Sequence, residues 1–175
     1  MYYAHQYISI DALLIMEKCI RWLALRPTIA IVLLALIIQL AVWYVAFLIT
    51  PWYEGLHGPI GGPDDEFLNM MPLVGKILLA VFLGPLLETA IFQLLIIFLL
   101  QRYTQLPIWM ILCISSLLFA STHYYSIFYF VYALLSGFIL STFFMACRLK
   151  KGYQFGFLVI SIIHGLYNSM GFFID

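Results

Sequence analysis

Apolar positions along the chain gather into blocks that are too long and too continuous to be one face of a soluble helix. The blocks run from Thr28 to Thr50, Leu73 to Leu100, Pro107 to Thr122, Ile127 to Cys147 and Phe155 to Phe173. A helix needs about 20 apolar residues to cross the hydrocarbon layer, so this pattern predicts an all-α, polytopic transmembrane helix bundle of about five spans. No internal repeat relates the blocks.

Polar residues and prolines mark the boundaries. Arg26-Pro27 opens the first span, because Pro is tolerated in a helix's first turn and Arg favours the cytoplasmic flank. Pro51 is expected to close it. The stretch from Pro51 to Pro72 holds Pro, Gly and the cluster Asp64-Asp65-Glu66, and reads as an aqueous loop. Upstream, Ile8 to Leu25 mixes Ile, Leu and Trp with Asp11, Glu17, Lys18 and Arg21, the pattern of a helix lying in the membrane interface. The same charges argue against a cleavable signal, so the chain is expected to be retained whole. The predicted organisation is an interfacial segment, 1–27, and a single transmembrane domain, 28–175. Gly84-Pro85 falls inside the second block, where Pro removes a backbone donor, and a kink is expected there, just before Glu88.

Charge adds orientation. If the spans alternate, Arg26, Arg102, Arg148, Lys150 and Lys151 fall on one side and the acidic loop on the other. That places the N-terminus in the cytoplasm, with Lys76 snorkelling at an outer helix end. The expected location is the plasma membrane of a bacterium. Of the residues, 65% are hydrophobic and 9% charged, against about 25% charged in soluble domains. Net charge is zero and the eight basic residues are scattered, which excludes a nucleic-acid-binding stripe. Cys19, Cys113 and Cys147 show no CxxC spacing and are expected to pack as small hydrophobes.

Against this background a few polar residues stand out. An ionisable side chain near the bilayer centre costs at least ~2.5 to 3.5 kcal/mol, which makes it a functional candidate by default. Glu88 is the carboxylate deep in an apolar block, His164 lies inside the fifth, and His123 ends the third. Asn168 stands one turn after His164, and Gln93 one turn after Thr89. Taken singly, such residues are more often packing histidines or interhelical glue. Together, on different helices, they supply a base, a second proton carrier and a donor for developing negative charge, which is what amide hydrolysis requires. At 1.5 Å rise per residue, Glu88 is about 18 Å from Leu100, His123 about 24 Å from Pro107 and His164 about 15 Å from Gln154, so one layer can hold all three. Glu88, His123 and His164 also make a conceivable His₂Glu zinc set, although no His-Glu-x-x-His pair accompanies them. A proton relay in a small transporter would need a continuous polar path, which the apolar faces argue against.

These residues resemble the CAAX-protease and bacteriocin-processing (Abi) family of intramembrane endopeptidases, which includes the Ras-converting CAAX endopeptidases. The family shows Glu-Glu-x-x-x-Arg, then Phe-x-x-x-His, then His-x-x-x-Asn. This chain reads Glu88-Thr89 with Gln93, then Phe119 with His123, then His164 with Asn168, over a core of 73–173. Thr89 and Gln93 stand where the family has Glu and Arg, so an ion pair is exchanged for a neutral hydrogen-bonding pair, expected to contact each other or to share a polar partner. The resemblance implies a four-helix catalytic core in which Glu88 activates water, assisted by His123, while His164 and Asn168 stabilise the oxyanion. Thr89, Gln93 and Phe119 would support them. It implies no cofactor, leaving zinc as the alternative, and a peptide or protein substrate at the bilayer, lipidated or a bacteriocin-like precursor. The competing reading is a non-catalytic binding or immunity-type membrane protein with the same fold.

Overall fold

In the computed structural model, residues 15–61 and 70–170 are described. Asp64, Asp65 and Glu66, the first half of the predicted interfacial segment and the last residues of the fifth block lie outside them. Within the described residues the architecture is all-α. Helix α1 covers 15–24, α2 Thr28–His57, α3 Leu73–Tyr103, α4 Ile108–Ser121, α5 Ile127–Lys151 and α6 Tyr153–Ser169. The helices α2, α3 and α5 are long and apolar enough to cross a membrane. The other two predicted spans are shorter, α4 having 14 residues. It ends early because the chain turns at Thr122 and His123, which directs the histidine into the bundle.

α5 is the central element, packed by α4, α6 and α2. Small residues permit this. Ala133, Ser136, Gly137, Ser141 and Ala146 are buried along α5, so neighbouring helices approach closely without a driving force from water. At Gly137 a Cβ would stand 2.8 Å from the Phe119 ring, so the absence of a side chain there is what lets that ring lie against α5. A polar clamp joins the first span to the core: Gln39 Nε2 donates to Ser136 O at 3.3 Å, and Ser136 Oγ donates to Gln39 Oε1 at 3.0 Å. Outward faces carry large exposed apolar residues such as Ile37, Leu48, Phe82 and Leu158, as a lipid-facing surface does.

One end of the bundle is basic. Lys150 Nζ donates to Arg26 O at 2.8 Å and Ala24 O at 3.3 Å, tying the end of α1 to the end of α5. Arg26 lies over Trp22, Arg148 over Tyr153 and Lys151 over Phe155, the arrangement of cations among interfacial aromatics.

The expected stop at Pro51 is corrected: α2 runs on to His57. A proline inside a helix forfeits one backbone bond and crowds the preceding turn. Here the following turns are held by tertiary contacts, with the Tyr53 ring 5.1 Å from Phe128 and Gly61 beside Tyr125. The expected irregularity at Gly84-Pro85 is present. α3 widens to π-helical geometry over Leu78–Leu83, returns to α over Gly84–Glu88 and widens again over Thr89–Ile96. The second widening has no proline to announce it. There Ser115 Oγ of α4 donates to Phe92 O at 2.9 Å and pairs with Ser141 Oγ of α5 at 2.9 Å. Such π turns are frequent at functional sites.

Candidate active site

Glu88, His123 and His164 meet in the interior, in the half of the bundle away from the basic end. The π turns on either side of Glu88 rotate α3 so that Glu88, Thr89, Phe92 and Gln93 face inward while Leu86, Leu87 and Ile91 face out. His123 Nε2 is 3.7 Å from Glu88 Oε1, and His164 Nε2 is 3.5 Å from Glu88 Oε2. One imidazole therefore attends each carboxylate oxygen. Both separations exceed the ~2.7 to 2.9 Å of a charge-assisted hydrogen bond, so the three groups are poised around a common point without being locked onto each other.

Each histidine is oriented from behind. His123 Nδ1 lies 2.9 Å from Phe119 O and 3.1 Å from Thr122 Oγ1. Donation of an Nδ1 hydrogen to the carbonyl leaves Nε2 as the nitrogen that faces Glu88. His164 Nδ1 lies 3.5 Å from Thr89 Oγ1; when that hydroxyl donates, Nε2 carries the hydrogen that points at Glu88. Fixing the tautomer from the far nitrogen is how an imidazole's reactive edge is set.

Aromatic rings close the remaining sides. The Phe119 ring packs on His123 at 4.5 Å, edge-on to His164 at 5.8 Å and edge-on to Phe92 at 5.6 Å, so one residue walls both histidines. Tyr129 stacks parallel to His123 at 6.4 Å, and Tyr125 meets Tyr129 edge-on at 5.0 Å. Tyr125 stands in the turn between α4 and α5, where burial, and then the negative charge of Glu88, push its hydroxyl pKa up. Access is uneven: the side chain of Glu88 keeps 29% of its surface and that of His123 18%, against 4% for His164. The opening lies on the His123 side.

Asn168 joins this region from α6 by donating Nδ2 to Ala80 O of α3 at 3.0 Å, which leaves its second amide hydrogen free of that bond. The expected hydrogen-bonded pairing of Thr89 with Gln93, direct or through a shared polar partner, is corrected. Both are fully buried, but Thr89 reaches His164, and the Gln93 amide bonds to neither Thr89 nor any other described residue. Both side chains face inward, but Thr89 Oγ1 is turned across the helix interface to His164 of α6 and not along α3 to the Gln93 amide. A double-mutant cycle on Thr89→Val and Gln93→Leu, followed by unfolding in detergent, is expected to be additive within about 0.5 kcal/mol. Among the described residues, no three His, Cys, Asp or Glu side chains are arranged as a group that could hold a metal ion.

Sequence reading missed Tyr129, the Gly137 notch that seats Phe119, and the Ser115–Ser141 pair. The aromatic run from Tyr124 to Tyr132 was the available signal for the first. Nothing local marks the other two, since each depends on which helices are neighbours.

With the geometry in view, comparison with known families is decisive. A family described as Rce1-like, type II CAAX prenyl endopeptidase Rce1-like, matches residues 70–170, more than half of the chain. The chain belongs to the Rce1-like family. No curated protein and no solved structure matches it. The matched segment starts just before α3 and ends with α6, so it contains every residue of the Glu88 cluster and leaves out α1 and α2. Membership in this protease family, with three helices long and apolar enough to cross a bilayer, makes the chain an integral membrane protein.

Proposed function

We propose that this Rce1-like chain is an intramembrane endopeptidase in which Glu88 activates water to hydrolyse a peptide bond. The observation that carries this reading is the pair of imidazoles flanking one carboxylate, His123 Nε2 at 3.7 Å and His164 Nε2 at 3.5 Å, deep in an apolar bundle. Three such groups converging from α3, the turn after α4 and α6 would be costly to bury without a task. Glu88 takes a proton as the water oxygen bonds to the scissile carbonyl carbon. His123, on the open side, helps hold that water and relays the proton. The carbonyl oxygen takes the electron pair, and Nε2–H of His164 and the free amide hydrogen of Asn168 donate to it. Collapse of the tetrahedral adduct breaks the C–N bond, and the proton passes to the leaving amine. Glu88 is thereby regenerated, and one water has been added across one peptide bond.

In this reading Thr89 orients His164, Phe119 and Tyr129 hold the histidines in place, and the mechanism needs no metal. The substrate is a peptide or protein at the bilayer, lipidated or a bacteriocin-like precursor. The basic end faces the cytoplasm of a bacterial cell, in keeping with the preference of Arg and Lys for that side. The testing experiment is cleavage of prenylated and unmodified peptides by the purified protein in detergent, set beside Glu88→Ala, with and without chelator. Cleavage lost in Glu88→Ala and indifferent to chelator is the expected result. Chelator-sensitive cleavage restored by zinc would transfer Glu88, His123 and His164 to a zinc site. Equal behaviour of the parent and Glu88→Ala would leave a binding or immunity-type protein.

A further inference from the structure

Pro85 deprives α3 of one backbone donor, and the two carbonyls that could have used it, one in each register, both meet α6. In the widened turn before it, the Gly84 N–H bonds to Leu79 O, so the next acceptor in that register is Ala80 O, whose partner would be the nitrogen of residue 85. Proline carries no hydrogen there. In ordinary α register the same nitrogen would serve Val81 O instead, so the one missing donor bears on these two neighbouring carbonyls, and it leaves Ala80 O without a partner in the widened register. A polar backbone group left without a partner in an apolar interior is costly, and helices broken by proline in membranes are found where neighbouring elements satisfy what is freed.

The neighbour here is α6. Asn168 Nδ2 donates to Ala80 O at 3.0 Å. Gly165, three residues earlier and on the same face, approaches Val81 O so closely that a Cβ on it would overlap that oxygen. At Gly84, too, a Cβ would stand 3.0 Å from Leu79 O and 4.0 Å from Glu88 Oε1, so the break is tightly built on the side from which Glu88 projects. His164 directly precedes Gly165, and Glu88 lies one turn after Gly84. On α6 the contacts that join it to the break therefore lie within a turn of His164, and on α3 about two turns before Glu88, the two residues whose 3.5 Å separation matters.

We propose that Gly165 and Asn168 form a seam, Gly165 letting α6 lie against the break and Asn168 taking up the carbonyl orphaned by Pro85, and that this seam sets His164 against Glu88. Asn168 is then a positioning residue through its bond to Ala80 O, besides the oxyanion donor it is under the proposed function, on which the effect on cleavage rests. The seam itself does not depend on that function. It predicts a specific coupling: Pro85→Ala supplies a backbone hydrogen that the Ala80 or Val81 carbonyl can accept, so in that background the bond from Asn168 matters less.

The test is a cycle of four full-length proteins, the parent, Pro85→Ala, Asn168→Ala and the double variant, followed by thermal unfolding in detergent and by steady-state cleavage. The drop in unfolding temperature caused by Asn168→Ala is expected to shrink in the Pro85→Ala background. An equal drop in both backgrounds overturns the seam. Gly165→Ala is expected to lower kcat by about 10²-fold with KM little changed, because a Cβ forces α6 away and shifts His164 by a fraction of its reach to Glu88. Unaltered kcat in a folded Gly165→Ala protein overturns the positioning role. If Gly165→Ala does not fold, the unfolding cycle still decides. If the parent protein cleaves nothing, the proposed function fails while the same unfolding cycle continues to report on the seam.

Discussion

Glu88→Gln is expected to abolish cleavage while leaving the protein folded. Gln has the shape of Glu and can turn its one acceptor oxygen to the Nε2–H of His164 and its NH2 donor to Nε2 of His123, but it cannot take a proton from water, so general-base catalysis disappears. Burying a neutral amide in place of a carboxylate also removes the charge that is costly in this apolar interior, so unfolding in detergent should occur at the same temperature or higher. The expected loss is about 10⁴-fold or more, because base catalysis and the orientation of water fail together. The measurement is single-turnover cleavage with unfolding followed in parallel. Robust cleavage by a folded Glu88→Gln protein would falsify the glutamate mechanism.

The second large effect is expected at His123. His123→Phe keeps an aromatic ring in the slot between Phe119, at 4.5 Å, and Tyr129, at 6.4 Å, so packing is largely conserved while both nitrogens are lost. If Nε2 relays the proton between water, Glu88 and the leaving amine, kcat should fall by about 10²- to 10⁴-fold, the usual span for a positioned acid–base group. Substrate affinity should change little, since His123 presents only 18% of its side-chain surface. A fall in KM-dependent binding with kcat retained would assign His123 to substrate contact instead.

The sequence by itself determined the membrane-spanning all-α class, the positions of most helix boundaries and the identities of the residues that meet. These are legible because the bilayer penalises each misplaced polar group individually, so apolar block length reports spans and every buried ionisable residue stands out against its surroundings. Glu88, His123 and His164 could be named from that contrast, and the break at Gly84-Pro85 from the missing donor of Pro85. Tertiary structure alone decided the rest. Pro51 fails to end α2 because Tyr53 and Gly61 pack on Phe128 and Tyr125, contacts more than 60 residues away in the chain. Thr89 bonds to His164 while Gln93, on the same inward face, has no hydrogen-bond partner among the described residues, because which helix lies opposite each residue is set by the bundle and no sequence period encodes it. The same holds for the Gly137 notch, the Gln39–Ser136 clamp and the α6 seam. Each is a close approach between segments whose pairing depends on how the whole bundle packs, and local pattern carries no information about that.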